Sequence, residues 1–258
     1  MPIPRGYSEV LHSSNDRFSV EAAWTFFADK SYEHRVLPDG RCDIILHFHS
    51  DGSKPLDPIS VIIAGAATRS HIVTMEAGTG YVGVRLRPGS ARSILGITLK
   101  EIANQGLGGD TALAQIPALA GLCASSQSIK ELSDRLTSFV AERFRNLQID
   151  PLTIALIDTL HTTGGRLAIS EIALLHGMDV RAVHRRIVRG TGLSPKQMAM
   201  VIQFHRALRL LVNERLDIPS AAFEAGYADQ AHMTRTFRHM GGFSPARLPE
   251  LVLAGFPI

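Results

Sequence analysis

Two clusters of side chains carry the chemistry needed to read the edges of nucleic-acid bases. Arg181, His184, Arg185 and Arg189 form the first, and Gln230, His232, Arg235 and Arg238 follow about 50 residues later. Guanidinium and carboxamide groups bond bidentately to guanine and adenine in the major groove. Other candidates lie nearer the N-terminus. His47 and His49 share one face of a strand, a spacing that can place two imidazoles on one metal ion, with His34, His71 or Glu76 needed as a further ligand. No Glu follows in an arrangement that would complete such a site, so a polar strand face is the plainer reading. Arg85 and Arg87 precede Pro88-Gly89-Ser90 and the start of a helix. There, two guanidiniums and open backbone amides would hold the carboxylate or phosphate of an effector, the alternative being an exposed strand edge beside a capped helix. Cys42 and Cys123 are too few for a disulfide framework or a cysteine zinc site and read as reduced structural thiols.

The elements that must position these groups differ between the two halves of the chain. Up to about residue 100 the pattern is that of strands and turns. A Pro-Asp-Gly turn at 37–40 precedes RCDIILHFHS, whose alternation puts Ile44, Leu46 and Phe48 on one face. Two further β-branched runs, 60–78 and 81–89, are broken at glycines, and Val82, Val84 and Leu86 face away from Tyr81, Arg85 and Arg87. Helical signals follow in SARSILGI, TLKEIANQ and SSQSIKELSDRLTSFVAERF. In the last, Ile129, Leu132, Leu136, Phe139, Val140 and Phe144 form one stripe that reads as core, or alternatively as a dimer helix. From Asp150 onward the pattern is helical throughout, with Asp150-Pro151 as cap and first residue and Thr163-Gly164-Gly165 as stop. The expected division is therefore a β-rich domain at 1–145 and an all-α domain at 146–258, an α+β chain.

An internal repeat organises the second domain. ISEIALLHGMDVRAVHRRIVRGTGLSP (169–195) and IPSAAFEAGYADQAHMTRTFRHMGGFSP (218–245) each contain Ala-x-x-x-Gly, an Asp, an apolar pair and Gly-x-Ser-Pro. Ala173 and Ala222 permit close helix approach, while Gly177 and Gly226 supply the left-handed turn of a helix-turn-helix unit. Asp179 and Asp229 then cap a second helix, with Val183 and Ile187, or Met233 and Phe237, facing inward. The opposite faces carry the two basic clusters. Ser194-Pro195 opens a connecting helix of about 25 Å, long enough to hold two reading helices near one DNA turn apart.

With these features residues 150–248 resemble the AraC/XylS family of bacterial transcription regulators, most closely in FRHMGGFSP of the second unit. The resemblance implies seven helices, with base contacts from the third and sixth, which favours Arg181, His184, Arg185, Gln230, His232 and Arg235. The connecting helix departs from the family by carrying Met200 and Gln203 where arginines are common, and Ala231 replaces a polar side chain. The N-terminal half resembles more distantly the cupin-like β domains that precede such modules. Implied partners are double-stranded DNA, with RNA polymerase, a small-molecule effector and a second copy of the chain as further candidates, and no cofactor.

Charge agrees with this division. Residues 166–247 hold 12 Lys and Arg against 6 Asp and Glu, leaving 15 against 18 elsewhere, within a net charge of +3. A basic half beside a mildly acidic one suits a polyanion partner for one half. Arg189, Lys196, Arg206, Arg209 and Arg238 are the expected phosphate contacts. No apolar run reaches a membrane span and no signal core opens the chain, so a cytoplasmic location is expected. The reading is a sequence-specific DNA-binding regulator without catalysis, the alternative being a metal-dependent cupin-type enzyme with a DNA-binding appendage.

Overall fold

Strict alternation and helical periodicity dictate most elements of the structure, a computed structural model that describes residues 7–11, 20–50, 56–145, 147 and 149–249. β1 (Tyr7–Leu11), β2 (Val20–Phe27), β4 (Cys42–His49), β5 (Asp57–Ala64), β7 (Thr79–Leu86) and β8 (Gly106–Gly108) form one antiparallel sheet in the order β1-β2-β7-β4-β5-β8. β3 (Tyr32–Val36) and β6 (His71–Met75) pair separately. Among the described residues these ladders leave the larger sheet open, with β1 and β8 at its edges. Register sets the two faces apart. Ile44, Leu46, Phe48, Val82, Val84 and Leu86 are fully buried on one side, as their spacing predicts. The other side carries Trp24, Phe26 and Tyr81, packed against Tyr32, Val73 and Met75 of the smaller sheet.

α1 (Ala91–Leu95), α2 (Asp110–Gln115) and α3 (Ile129–Arg145) follow the strands. α3 packs on β2 and β7 through Leu132, Leu136 and Val140, so its apolar stripe is core within the chain and its outward Lys130, Glu131, Asp134 and Glu142 are polar. The segment TLKEIANQ is shorter than its pattern predicts: only a 3-10 turn forms at Leu99–Ile102. Asn104 then takes a left-handed conformation, φ 61°, and its carboxamide accepts from Thr68 N at 2.7 Å, bending the chain into β8.

Six helices make up the rest of the described chain: α4 (Pro151–Thr162), α5 (Ile169–Leu175), α6 (Val180–Thr191), α7 (Pro195–Val212), α8 (Ile218–Ala225) and α9 (Gln230–Met240). The seventh helix that the family resemblance implies would lie after 240; residues 241–249 are not helical and the remainder falls outside the described residues. The apolar cores do not divide at residue 146. One continuous cluster runs from Ile44 and Val84 of the sheet through Leu156 and Ile157 of α4 to Ile172, Val183, Ile187 and Met198 of α5, α6 and α7. A second, smaller cluster joins Phe204, Leu208, Ala222, Tyr227, Met233, Phe237 and Met240 to a single residue of the N-terminal half, Leu37.

Candidate nucleic-acid interface

Each helix that carries a basic cluster begins at an aspartate. Asp179 accepts from Ala182 N at 2.8 Å and Asp229 from His232 N at 2.5 Å, satisfying amides that would otherwise lack partners. Gly177 and Gly226, with φ 62° and 86°, make the preceding turns. Val183 and Ile187 of α6, and Met233 and Phe237 of α9, are fully buried. Their periodicity therefore forces the remaining faces outward.

All eight residues of the two basic clusters are exposed: Arg181, His184, Arg185 and Arg189 on α6, and Gln230, His232, Arg235 and Arg238 at or along α9. Counted from the capping aspartates, Arg185 and Arg235 occupy the same position of the two units. Arg186 is excluded from that face because it pairs with Asp150, the cap of α4. Asp150 is thereby held below its ordinary carboxylate range, hydrogen bonds from Thr153 and the Arg186 charge outweighing partial burial.

α7 spans 18 residues, about 27 Å, and connects the units. Its cap is reciprocal: Ser194 accepts from Gln197 N at 3.2 Å and the Gln197 side chain accepts from Ser194 N at 2.9 Å. Gln203, standing where the resembled family often has arginine, donates to Gly226 O at 3.4 Å and supports the second turn. Of the expected phosphate contacts in α7, Lys196 is exposed, Arg206 lies half-buried against Gly164, and Arg209 is 3.8 Å from Glu214.

The N-terminal half grips both units, which no local pattern foretells. Gly89 N donates to Gly190 O of α6 at 3.1 Å, and a Cβ on Gly190 would lie 3.3 Å from Gly89 Cα. The Pro-Asp-Gly turn is a wedge: Leu37 enters the second core, and His205 donates through Nε2 to Pro38 O at 2.6 Å. Burial lowers the His205 pKa, against the pull of that carbonyl and of Asp39. At the far end, Ser70 N and Oγ donate to Met240 O and Gly241 O at 2.6 and 2.9 Å, and Arg35 donates to Gly241 O at 3.3 Å. These groups cap the C-terminus of α9.

The candidates on the β-rich domain fall into three groups. Arg85 lies 3.4 to 3.5 Å from Glu9, Asp39 and Asp43, so carboxylates of the chain already surround it. The amides beside Arg87 are also engaged: Gly89 N reaches α6, and Ser90 N and Oγ both donate to Arg87 O. The anion cradle expected at Arg85 and Arg87 is therefore replaced by an ion-pair network and an interdomain seam. His47 stacks on Tyr81 with ring centroids 4.7 Å apart, and its pKa is lowered by burial against the pull of Glu76. His49 is exposed, and among the described residues no group of three or more metal-ligating side chains assembles around the pair. Cys42 is buried and Cys123 partly so, and burial raises both thiols.

Comparison with known proteins gives separate matches in the two parts of the chain. A family described as a helix-turn-helix domain matches residues 172–250, and a domain of unknown function, DUF6597, matches residues 17–108. The HTH-type transcriptional activator RhaS of Escherichia fergusonii is 30% identical over 79 residues, 31% of this chain and 28% of that protein. RhaS of Klebsiella pneumoniae is 28% identical over 75 residues, 29% of this chain and 27% of its own length. The matched stretch thus spans little more than a quarter of these relatives. Among solved structures, ToxT of Vibrio cholerae O395 aligns over 98% of this chain and all of its own, with 11% identity and a TM-score of 0.45. The DNA-binding domain of AdpA, solved with a target DNA, aligns over 36% of this chain and 86% of its own, with 22% identity and a TM-score of 0.35. Residues 172–250 thus match a helix-turn-helix domain, joined in this chain to a β-rich N-terminal part.

Proposed function

We propose that this chain is a sequence-specific DNA-binding transcription regulator. One observation carries the reading. In both helix-turn-helix units an aspartate-capped helix buries one face and exposes arginine with histidine or glutamine on the other. Arg181, His184, Arg185, Gln230, His232 and Arg235 read bases, while Arg189, Arg238 and Lys196 meet phosphates. RNA polymerase is the further macromolecular partner such a regulator implies. A small-molecule effector or a second copy of the chain, acting on the β-rich domain, would reach α6 and α9 through the seams that hold them. Among the described residues no helix is long and apolar enough to cross a membrane, consistent with a chain that meets DNA in the cytoplasm.

The test is selection of duplexes from a random-sequence pool by the full chain, followed by affinity measurements on selected and scrambled duplexes over a salt series. Enrichment of a two-part site, bound at least about 10³-fold more tightly than scrambled DNA, is expected. Equal affinity for both overturns the reading.

A further inference from the structure

At the C-terminal half of the first reading helix, a cleft of about 280 Å³ opens between the two domains. One wall is α6, with His184, Arg185, Val188 and Arg189; the other is Arg92, Thr98, Leu99 and Lys100 of the β-rich domain. The α6 residues lie on adjacent turns of a single helix face, so the cleft continues the face assigned to base reading. Leu99 is buried, while Thr98 and Lys100 are exposed. Four obligate cations line the space and no carboxylate does. Among the described residues, none of Arg92, Lys100, Arg185 and Arg189 forms an ion pair.

We infer that this cleft holds the phosphodiester backbone of DNA beside the groove entered by α6, so that Arg92 and Lys100 of the β-rich domain form part of the DNA interface. The inference rests on the DNA-binding reading above and extends it to a second domain. Charge decides between gripping and blocking. A domain placed over α6 to silence it would present carboxylates to Arg185 and Arg189, whereas this one adds two cations and a hydroxyl, the groups that contact phosphates. Position decides between a polymer and a small anion. The cleft is open and shares Arg185 with the reading face, so a polyanion already lying on that face passes through it. Its seat is fixed, because Gly89 is hydrogen-bonded to Gly190 and Gly192 abuts Leu99.

The experiment compares the full chain with R92Q/K100Q, and separately with K100E, on the selected duplex and a scrambled one across a salt series. Thermal melts by circular dichroism check that each variant is folded, and exposed Lys100 can change without touching the core. The expected result is an equal loss of affinity for both duplexes and a slope of log K against log salt that is shallower by about 0.9 per lost phosphate contact. The preference for selected over scrambled DNA stays the same. An unchanged slope in folded variants, with selective binding intact, overturns this inference alone. Tighter DNA binding by either variant overturns it in favour of a blocking domain. Wild-type slope combined with loss of pyrophosphate binding overturns it in favour of a small-anion site. Failure of the wild-type chain to bind any duplex overturns both this inference and the DNA-binding reading.

Discussion

The two helix-turn-helix units share a plan and differ in what they lean on. The first has no core of its own: Ile172, Val183 and Ile187 belong to the cluster that also holds Ile44 and Val84 of the sheet. The second closes its own core around Phe204, which meets Phe237 edge-to-face at 4.9 Å, and borrows only Leu37 from the N-terminal half. Hydrogen bonds to Ser70 and Arg35 hold its reading helix at one end. Repetition of a sequence motif therefore produces one unit fused to its neighbour and one fastened to it.

The largest expected effect separates the two cores. Phe237→Ala should cost about 3 to 5 kcal/mol and melt the second unit while leaving the sheet and first unit folded. Ile187→Ala, at about 2 to 5 kcal/mol, should lower the unfolding midpoint of the β-rich domain as well. Denaturant titrations followed at Trp24, a reporter within the sheet, test this: the fused-core account fails if Ile187→Ala leaves the tryptophan transition unmoved.

Acid should strike the fused region. Burial, helped by the Arg41 charge, lowers the pKa of His161 in α4 from 6.5 to about 4. The folded pKa lies below the unfolded one, so the unfolded chain binds the proton first. The His161 contribution to stability is full above about pH 6.5 and is lost as pH falls toward 4, by up to about 3 kcal/mol. His205 is displaced in the same direction by burial. Asp43 opposes them, because burial raises its carboxyl pKa against the pull of Arg85, and it takes up its proton in the folded chain first. Urea melts of wild type and His161→Gln between pH 7 and 4 should show a smaller loss in the variant; parallel curves would exclude His161 as a source of acid sensitivity.

Base reading should show the units as equals. Arg185→Ala and Arg235→Ala, at matching positions, should each weaken binding to the selected duplex by about 1 to 3 kcal/mol and relax preference in only one half of the site. Loss of preference in both halves from either change would contradict independent reading.

The smallest contrast concerns the turns. A Cβ on Gly177 meets nothing within 4 Å, whereas one on Gly226 would lie 2.6 Å from Arg166 Cγ. Gly177→Ala should cost about 1 kcal/mol from left-handed backbone strain, and Gly226→Ala about 2 because Arg166 must also move. Equal thermal shifts would show that Arg166 yields freely.

What could be read from the residues is what local periodicity governs. The alternation of Ile44, Leu46 and Phe48, the caps Asp150, Asp179 and Asp229, and the outward basic faces all depend on neighbours within a few positions. So did the stripe of α3. Contacts between distant segments left no local trace: Leu37 in the second core, Ser70 at the end of α9, Gln203 under Gly226, and Arg186 withdrawn toward Asp150. Arg85 was visible as a cation but not its encirclement by Glu9, Asp39 and Asp43, which register and turn geometry bring together only in the folded sheet. The helix expected at 98–105 stopped early because Asn104 turned left-handed. A division at residue 146 follows from composition, but composition does not say which apolar face packs on which.

On the proposed DNA-binding function, the fastening of α9 to Ser70 and Arg35 has a counterpart on the DNA. With α6 seated on Gly89 and α9 held at Met240, the two reading helices are a pair of fixed separation and phase. Such a pair tolerates one spacing between the two parts of its operator. Inserting a single base pair there would rotate the distal part by about 34° and carry it away from α9, leaving the first unit bound alone.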